Sequence, residues 1–165
     1  MQHLAALLSD TTLAKMTNVI GNEDNVPQDV YMEVGNRIKD TINNLDDSRL
    51  RSELSKINIT RSLMKKPVMT IPYNVSVKTM TDQIINDGFF VMEVDHLSMG
   101  KKYFFNVNHI LLNNNESLKL YPKDLKIFAD ILYNAVYTVV PTLKAFKNYF
   151  NEMMDVLLKL NKPIV

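Results

Sequence analysis

The sequence predicts a mainly α-helical chain with at most a minor β-hairpin around residues 89–107. Apolar residues recur at helical spacing over much of the length. Polar turn clusters separate these periodic runs, and the stretches richest in Phe and Val, Phe89 to Val94 and Lys102 to Val107, are short. With 165 residues, 46% of them hydrophobic and 22% charged, the composition is globular and sufficient to bury a core. A net charge of +1 supplies no global basic field, so any nucleic-acid role must rest on a local patch. Cysteine is absent, which excludes disulfides, thiolate chemistry and cysteine-based zinc sites. The opening MQHLAALLSD lacks a basic region and is too short for a signal peptide. The longest apolar region, Ile127 to Leu143, is interrupted by Asp130, Asn134 and Pro141, so a soluble chain without a membrane partner is expected.

The elements follow in order. His3 to Asn18 carries Leu4, Leu7, Leu8 and Leu13 at near-helical spacing and predicts one short amphipathic helix or the end of a longer one, opening without a cap. Gly21 to Asp29, GNEDNVPQD, is a turn cluster ending in an Asp at a helix start. Val30, Val34, Ile38 and Ile42 then form a clear helical stripe that stops near Asn43 to Ser48. Leu50, Leu54 and Ile57 predict another short helix. Val77 to Asn86 places Met80, Ile84 and Ile85 on one side of a helix, stopped at Asp87-Gly88. The lengths of the two Phe- and Val-rich runs leave strand and helix open, and Asn113-Asn114-Asn115 reads as a loop. Leu125, Phe128, Leu132, Ala135 or Val136, Val139, Leu143, Phe146, Phe150, Met153 and Leu157 continue one apolar face. They predict a helix of roughly 35 residues, about 50 Å long, kinked at Pro141. No repeat or linker splits the chain, which divides into segments 1–58, 59–86, 87–122 and the long helix 123–160.

The stretch that singles itself out is ITRSLMKKPVMTIPYNVS, Ile59 to Ser76. Arg61, Lys65, Met69 and Tyr73 stand at intervals of four. On a continuous helix each such step turns the direction by about 40°, so the set winds slowly along one broad side. Arg offers a planar fork and Lys a mobile point charge for phosphate oxygens. Tyr offers a flat face for a base or sugar together with a hydroxyl. An elongated anion such as a nucleotide has both ends. Pro67 and Pro72 sit badly in a helix interior, so a helix here is expected to kink at Pro67 or to begin there, with Lys66 pushed from helical angles. Composition alone favours a plainer reading, a solvated basic turn with Met69 and Tyr73 packed into the core.

TRSLMKKPVMTIPYN resembles the fingers motif of single-subunit, phage-type DNA-dependent RNA polymerases, found in phages, mitochondria and linear mitochondrial plasmids. The family spacing is kept at Arg61, Lys65, Val68, Met69, Thr70 and Tyr73. Met1-Gln2-His3, with the following Leu4 to Asp10, resembles the segment after the family's first catalytic motif, and the end of the chain, Lys162-Pro163-Ile164-Val165, the approach to its last. The resemblance implies a helical fingers fragment with part of the palm. It implies that Arg61 and Lys65 hold the triphosphate of the incoming ribonucleotide. Lys66 would be a supporting cation, Met69 would line the pocket near the base, and Tyr73 would close its sugar side and help choose ribose. Lys65 and Tyr73 are then the catalytic candidates. Asn74 departs from the Gly common after this Tyr and is similar to the plasmid-borne branch. Together with the abundance of Asn, whose codons are rich in A and T, this points to a mitochondrial location.

The resemblance further implies Mg²⁺, ribonucleoside triphosphates, a DNA template and an RNA product for the full-length enzyme. The family's two metal-binding aspartates lie in elements this sequence does not contain; no His-Asp dipeptide occurs in it. Asp10, Asp82, Asp95 and Asp155 have no spacing that marks them as substitutes, no metal ligand is assigned, and the chain alone is expected to be inactive. A non-catalytic nucleotide- or nucleic-acid-binding remnant is the alternative, and a purely structural helical protein a third. His3, His96 and His109 show no ligand spacing, and Asp95-His96 lacks a nucleophile partner. Tyr103, Phe104 and Phe105 are expected in the core, and Tyr133, Tyr137, Phe146 and Tyr149 on a packing face.

Overall fold

The computed structural model describes residues 1–21, 26–95, 102–107, 112 and 118–160. His96, His109, Asn113 to Asn115 and Lys162 to Val165 lie outside the described residues. The architecture is mainly helical with one small antiparallel hairpin, and the chain forms two compact units, residues 1–28 with 137–165 and residues 29–136.

In the first unit the expected single amino-terminal helix is two, α1 (Gln2–Leu7) and α2 (Thr11–Met16). Ser9 takes a left-handed φ of 50°, which no helix continues through, and Asp10 restarts the chain by accepting the Leu13 N–H at 2.9 Å. Asn18, also left-handed at φ 59°, closes the following loop through its side chain. Its amide donates to the Gln28 carbonyl at 2.7 Å and its oxygen accepts the Gln28 N–H at 2.8 Å. The long carboxy-terminal helix is likewise interrupted. α7 (Pro122–Val139) ends before Val140, whose φ of −126° and ψ of 77° are not helical, and α8 (Pro141–Lys159) starts with Pro141 in its first position. Proline is suited to that position because its missing N–H would have no partner there. The sequence predicts a kink; the structure has a full stop. Along α8 the apolar face is buried at Leu143, but Tyr149, Phe150, Val156 and Leu158 are exposed.

The Thr142 hydroxyl donates to the Asp10 carboxylate at 2.5 Å. Burial pushes this carboxyl up, but the Thr142 hydroxyl and the N–H groups of Leu13 and Thr12 outweigh it and hold it below its ordinary value. A carboxyl depressed in the folded state contributes stability above its unfolded pKa, and loses that contribution as pH falls through the folded one. Thr142→Val is therefore expected to cost about 1 kcal/mol near neutral pH. The cost should shrink as the pH falls below the ordinary carboxylate range and the Asp10 carboxyl takes up its proton. Denaturant melts of both proteins at several pH values check this, and a cost independent of pH would show that the hydroxyl acts elsewhere.

The second unit is built on α3 (Val30–Asn43), capped by Asp29, with Val30, Val34, Ile38 and Ile42 buried as their spacing predicts. α4 (Ser48–Ser55) is capped by Asp47 and buries Leu50 and Leu54. α5 (Arg61–Thr70) packs against α3, and Gly35 lets the chains approach. A Cβ there would lie 3.0 Å from Ile59 Cγ2 and 3.7 Å from Met64 Cγ. A single 3-10 turn (Ile71–Tyr73) leads to α6 (Val77–Asn86), which ends at Asp87 with Gly88 at φ 76°. The two open runs are strands. β1 (Phe90–Asp95) pairs antiparallel with β2 (Lys102–Val107), Phe90 opposite Val107 and Met92 opposite Phe105. Phe90 meets Phe128 of α7 with ring centroids 5.9 Å apart. Phe104 and Phe105 are buried, but Tyr103 is not in the core as expected; it is 42% exposed.

A candidate nucleotide-binding face on α5

The helix that carries the basic motif starts at Thr60, whose hydroxyl accepts the Leu63 N–H at 3.3 Å, and runs unbroken to Thr70. It neither begins nor breaks at Pro67, and Lys66 stays helical. Pro67 cannot donate to the Leu63 carbonyl, which should cost the helix about 3 kcal/mol. Burial of Leu63, Met64, Pro67 and Val68 along one face offsets that cost. The Thr70 hydroxyl, 3.0 Å from the Lys66 carbonyl and 3.1 Å from that of Pro67, satisfies part of the last turn.

With that face committed to the core, the opposite one is fixed. Arg61, Lys65, Lys66, Met69 and Tyr73 are all exposed. Met69 is 46% and Tyr73 83% exposed, which overturns the plainer reading that packs them inward. From Arg61 to Met69 the row spans about 12 Å of helix axis. Tyr73 follows on the 3-10 turn, and Asn74 ends the turn in the left-handed region, φ 60° and ψ 34°. That conformation suits the residue found there: glycine adopts it freely, and asparagine tolerates it best among the rest. Asn74→Val is expected to lower stability by about 1–2 kcal/mol, whereas Asn74→Gly should leave it unchanged or slightly raised. Denaturation midpoints of the two variants check the order.

The cations differ in their surroundings. The Arg61 Nε–H donates to Asp29 Oδ2 at 2.8 Å, and its Cζ lies 4.7 Å from the centre of the Tyr31 ring. Lys66 pairs with Asp87 at the end of α6, tying α5 to its neighbour. Lys65 has no acidic partner among the described residues. Sequence reasoning identified Asp29 as a helix start and Asp87 as a helix stop, but not as partners of Arg61 and Lys66, and it missed Tyr31. Their sequence distances from the motif, 32 between Asp29 and Arg61 and 21 between Lys66 and Asp87, carry no local signal.

Among the described residues no three His, Asp or Glu side chains come together to hold a cation. Asp10 is engaged by a helix cap and Thr142, and Asp124 by Arg49. This donor set does not fit a Mg²⁺ site. None of the described helices is long and apolar enough to cross a membrane.

The family model for DNA-dependent RNA polymerase matches residues 1–162. Over 99% of its length the chain is 29% identical to a probable DNA-directed RNA polymerase of Neurospora crassa, covering 18% of that protein. It is 30% identical to one of Agaricus bitorquis and 28% identical to one of Gelasinospora sp. (strain G114), covering 14% and 20% of them. The chain thus spans between 14% and 20% of the length of these relatives. No solved structure matches it. The match over nearly all of its residues means that the chain belongs to the DNA-dependent RNA polymerase family.

Proposed function

We propose that this chain serves as the fingers, with part of the palm, of a DNA-directed RNA polymerase. The reaction joins a ribonucleotide to the RNA 3′-end: the 3′-oxygen bonds to the α-phosphorus and loses its proton, and the bond to the β-phosphate breaks, releasing pyrophosphate. The observation that carries this reading is the exposed row Arg61, Lys65 and Met69 on a helix whose other side is core, continued by the exposed Tyr73 on the 3-10 turn that follows. Arg61 and Lys65 hold the triphosphate and compensate the charge that develops on pyrophosphate. Met69 lies towards the base, and Tyr73 closes the sugar side. Lys66, tied to Asp87, supports the helix. Mg²⁺ in such an enzyme would activate the attacking oxygen and stabilise the leaving group. Its ligands would come from sequence outside this chain, so the 165-residue chain alone is expected to be inactive.

The Tyr73-Asn74 pair and the abundance of Asn support a mitochondrial location on a linear plasmid. The test is incorporation of ribonucleotides on a primed DNA template by the longest native polypeptide that carries this sequence. Template-dependent RNA extension supports the reading. A purified, folded polypeptide that binds the template and extends nothing would defeat it.

A further inference from the structure

We propose that Asp29 is a positioning residue for the triphosphate site, ordering the Arg61 guanidinium before the nucleotide arrives. The inference rests on the nucleotide-binding reading of α5. Asp29 uses its two oxygens for different tasks. Oδ1 accepts the N–H groups of Tyr31 at 3.0 Å and Met32 at 3.4 Å, which fixes the carboxylate to the first turn of α3. Oδ2 accepts the Arg61 Nε–H at 2.8 Å. The Tyr31 ring, 4.7 Å from the guanidinium carbon, covers one face of the same group. Arg61 is thus held by an edge and a face. Of its five N–H groups only Nε–H is spent among the described residues, and the two terminal nitrogens stay available for phosphate oxygens.

Arginine has high rotamer entropy, which an unordered side chain loses on binding a ligand; ordering it in the free protein removes that cost from the binding step. The carboxylate can do this because α3 and α5 pack closely at Gly35, which fixes the frame that both partners share. The charge of Asp29 alone would act the other way. A carboxylate beside a phosphate site repels the ligand, so its removal should tighten binding if only its field mattered. The sign of the effect therefore separates the two roles.

The experiment measures binding of ATP and of inorganic tripolyphosphate to the 165-residue chain by calorimetry. The variants are Asp29→Asn, Asp29→Ser, Arg61→Ala, Lys65→Ala and the double variant Asp29→Asn with Arg61→Ala. Asn and Ser both keep the helix cap while removing the anionic acceptor, so melting temperatures should move little. Positioning predicts that both Asp29 variants bind either ligand roughly fivefold more weakly, the effect of losing one ordinary hydrogen bond. It also predicts that Asp29→Asn weakens nothing further once Arg61 is Ala, a non-additivity that a merely structural role would not produce. Unchanged or tighter binding in the Asp29 variants, with Arg61→Ala and Lys65→Ala still weakening it, would overturn the positioning role and leave the nucleotide site standing. Binding that is absent in the wild-type chain, or indifferent to Arg61→Ala and Lys65→Ala, would overturn both.

Discussion

Lys65→Ala is expected to slow ribonucleotide incorporation by the polypeptide carrying this segment about 100- to 1000-fold, while Lys66→Ala slows it only a few-fold. The two lysines are adjacent in sequence and equal in charge, and both are exposed, so composition cannot rank them. Their partners can. Lys66 spends its ammonium on Asp87, with roughly half of the lysine side chain in water. A pair of that exposure contributes at most about 1 kcal/mol to stability, and its loss leaves the exposed row intact. Lys65 stands one helical turn beyond Arg61 with no acidic partner among the described residues. Its full charge is available to a triphosphate lying along the row.

A cation aimed at charge that grows as the leaving group departs acts more strongly on the transition state than on the bound substrate. Lys65→Ala should accordingly lower kcat more than it raises KM for the nucleotide, whereas Arg61→Ala, whose guanidinium is proposed to grip the triphosphate already in the ground state, should act more evenly on both. Lys65→Arg should restore part of the rate, because the charge returns on a planar group with a different reach. Single-turnover incorporation with each variant decides the matter. Equal losses for Lys65→Ala and Lys66→Ala would mean that the ion pair with Asp87 does not separate their roles.

Much of this arrangement was legible in the sequence wherever the physics is local. The stripe from Val30 to Ile42, the cap at Asp29 and the helix from Val77 to Asn86 all emerge as read, because periodicity and capping act within a few residues. The exposed row on α5 was visible as spacing. What sequence could not decide was whether Pro67 would break that helix, since the outcome depends on how much Leu63, Met64 and Val68 bury on the other side. The amino-terminal helix hid its break in the same way: Ser9 and Asp10 look compatible with a helix, and only their backbone and capping geometry show the restart. Long-range polar partners were invisible for a different reason. Asp29 with Arg61, and Lys66 with Asp87, are pairs made by packing helices together, and no interval rule reaches across that distance.

The ion pair of widest sequence separation among the described residues supplies the second large effect. Arg49→Met is expected to lower stability by about 3 kcal/mol, and Asp124→Ala by about 2 kcal/mol. Arg49 holds Asp124 with two bonds, 2.6 Å from Nη2 to Oδ1 and 3.1 Å from Nη1 to Oδ2, joining α4 to the start of α7. Oδ2 also accepts the Tyr121 N–H at 2.9 Å. The two ends of this bridge see different solvents: the Arg49 side chain is 51% exposed and that of Asp124 only 6%. Removing the carboxylate frees a guanidinium that water can solvate, at the cost of the bridge and one bond near the α7 start. Removing the guanidinium, even with Met keeping the apolar stem, strands a buried carboxylate with a single backbone donor, and that is the dearer loss. Asymmetric exposure therefore predicts an order as well as two magnitudes. For a chain of this size each kcal/mol moves the midpoint by about 2–4 °C, so the two variants should be separable in a thermal melt. A reversed order would mean that the Tyr121 contact and the α7 start, rather than the fork of Arg49, hold this corner of the fold together.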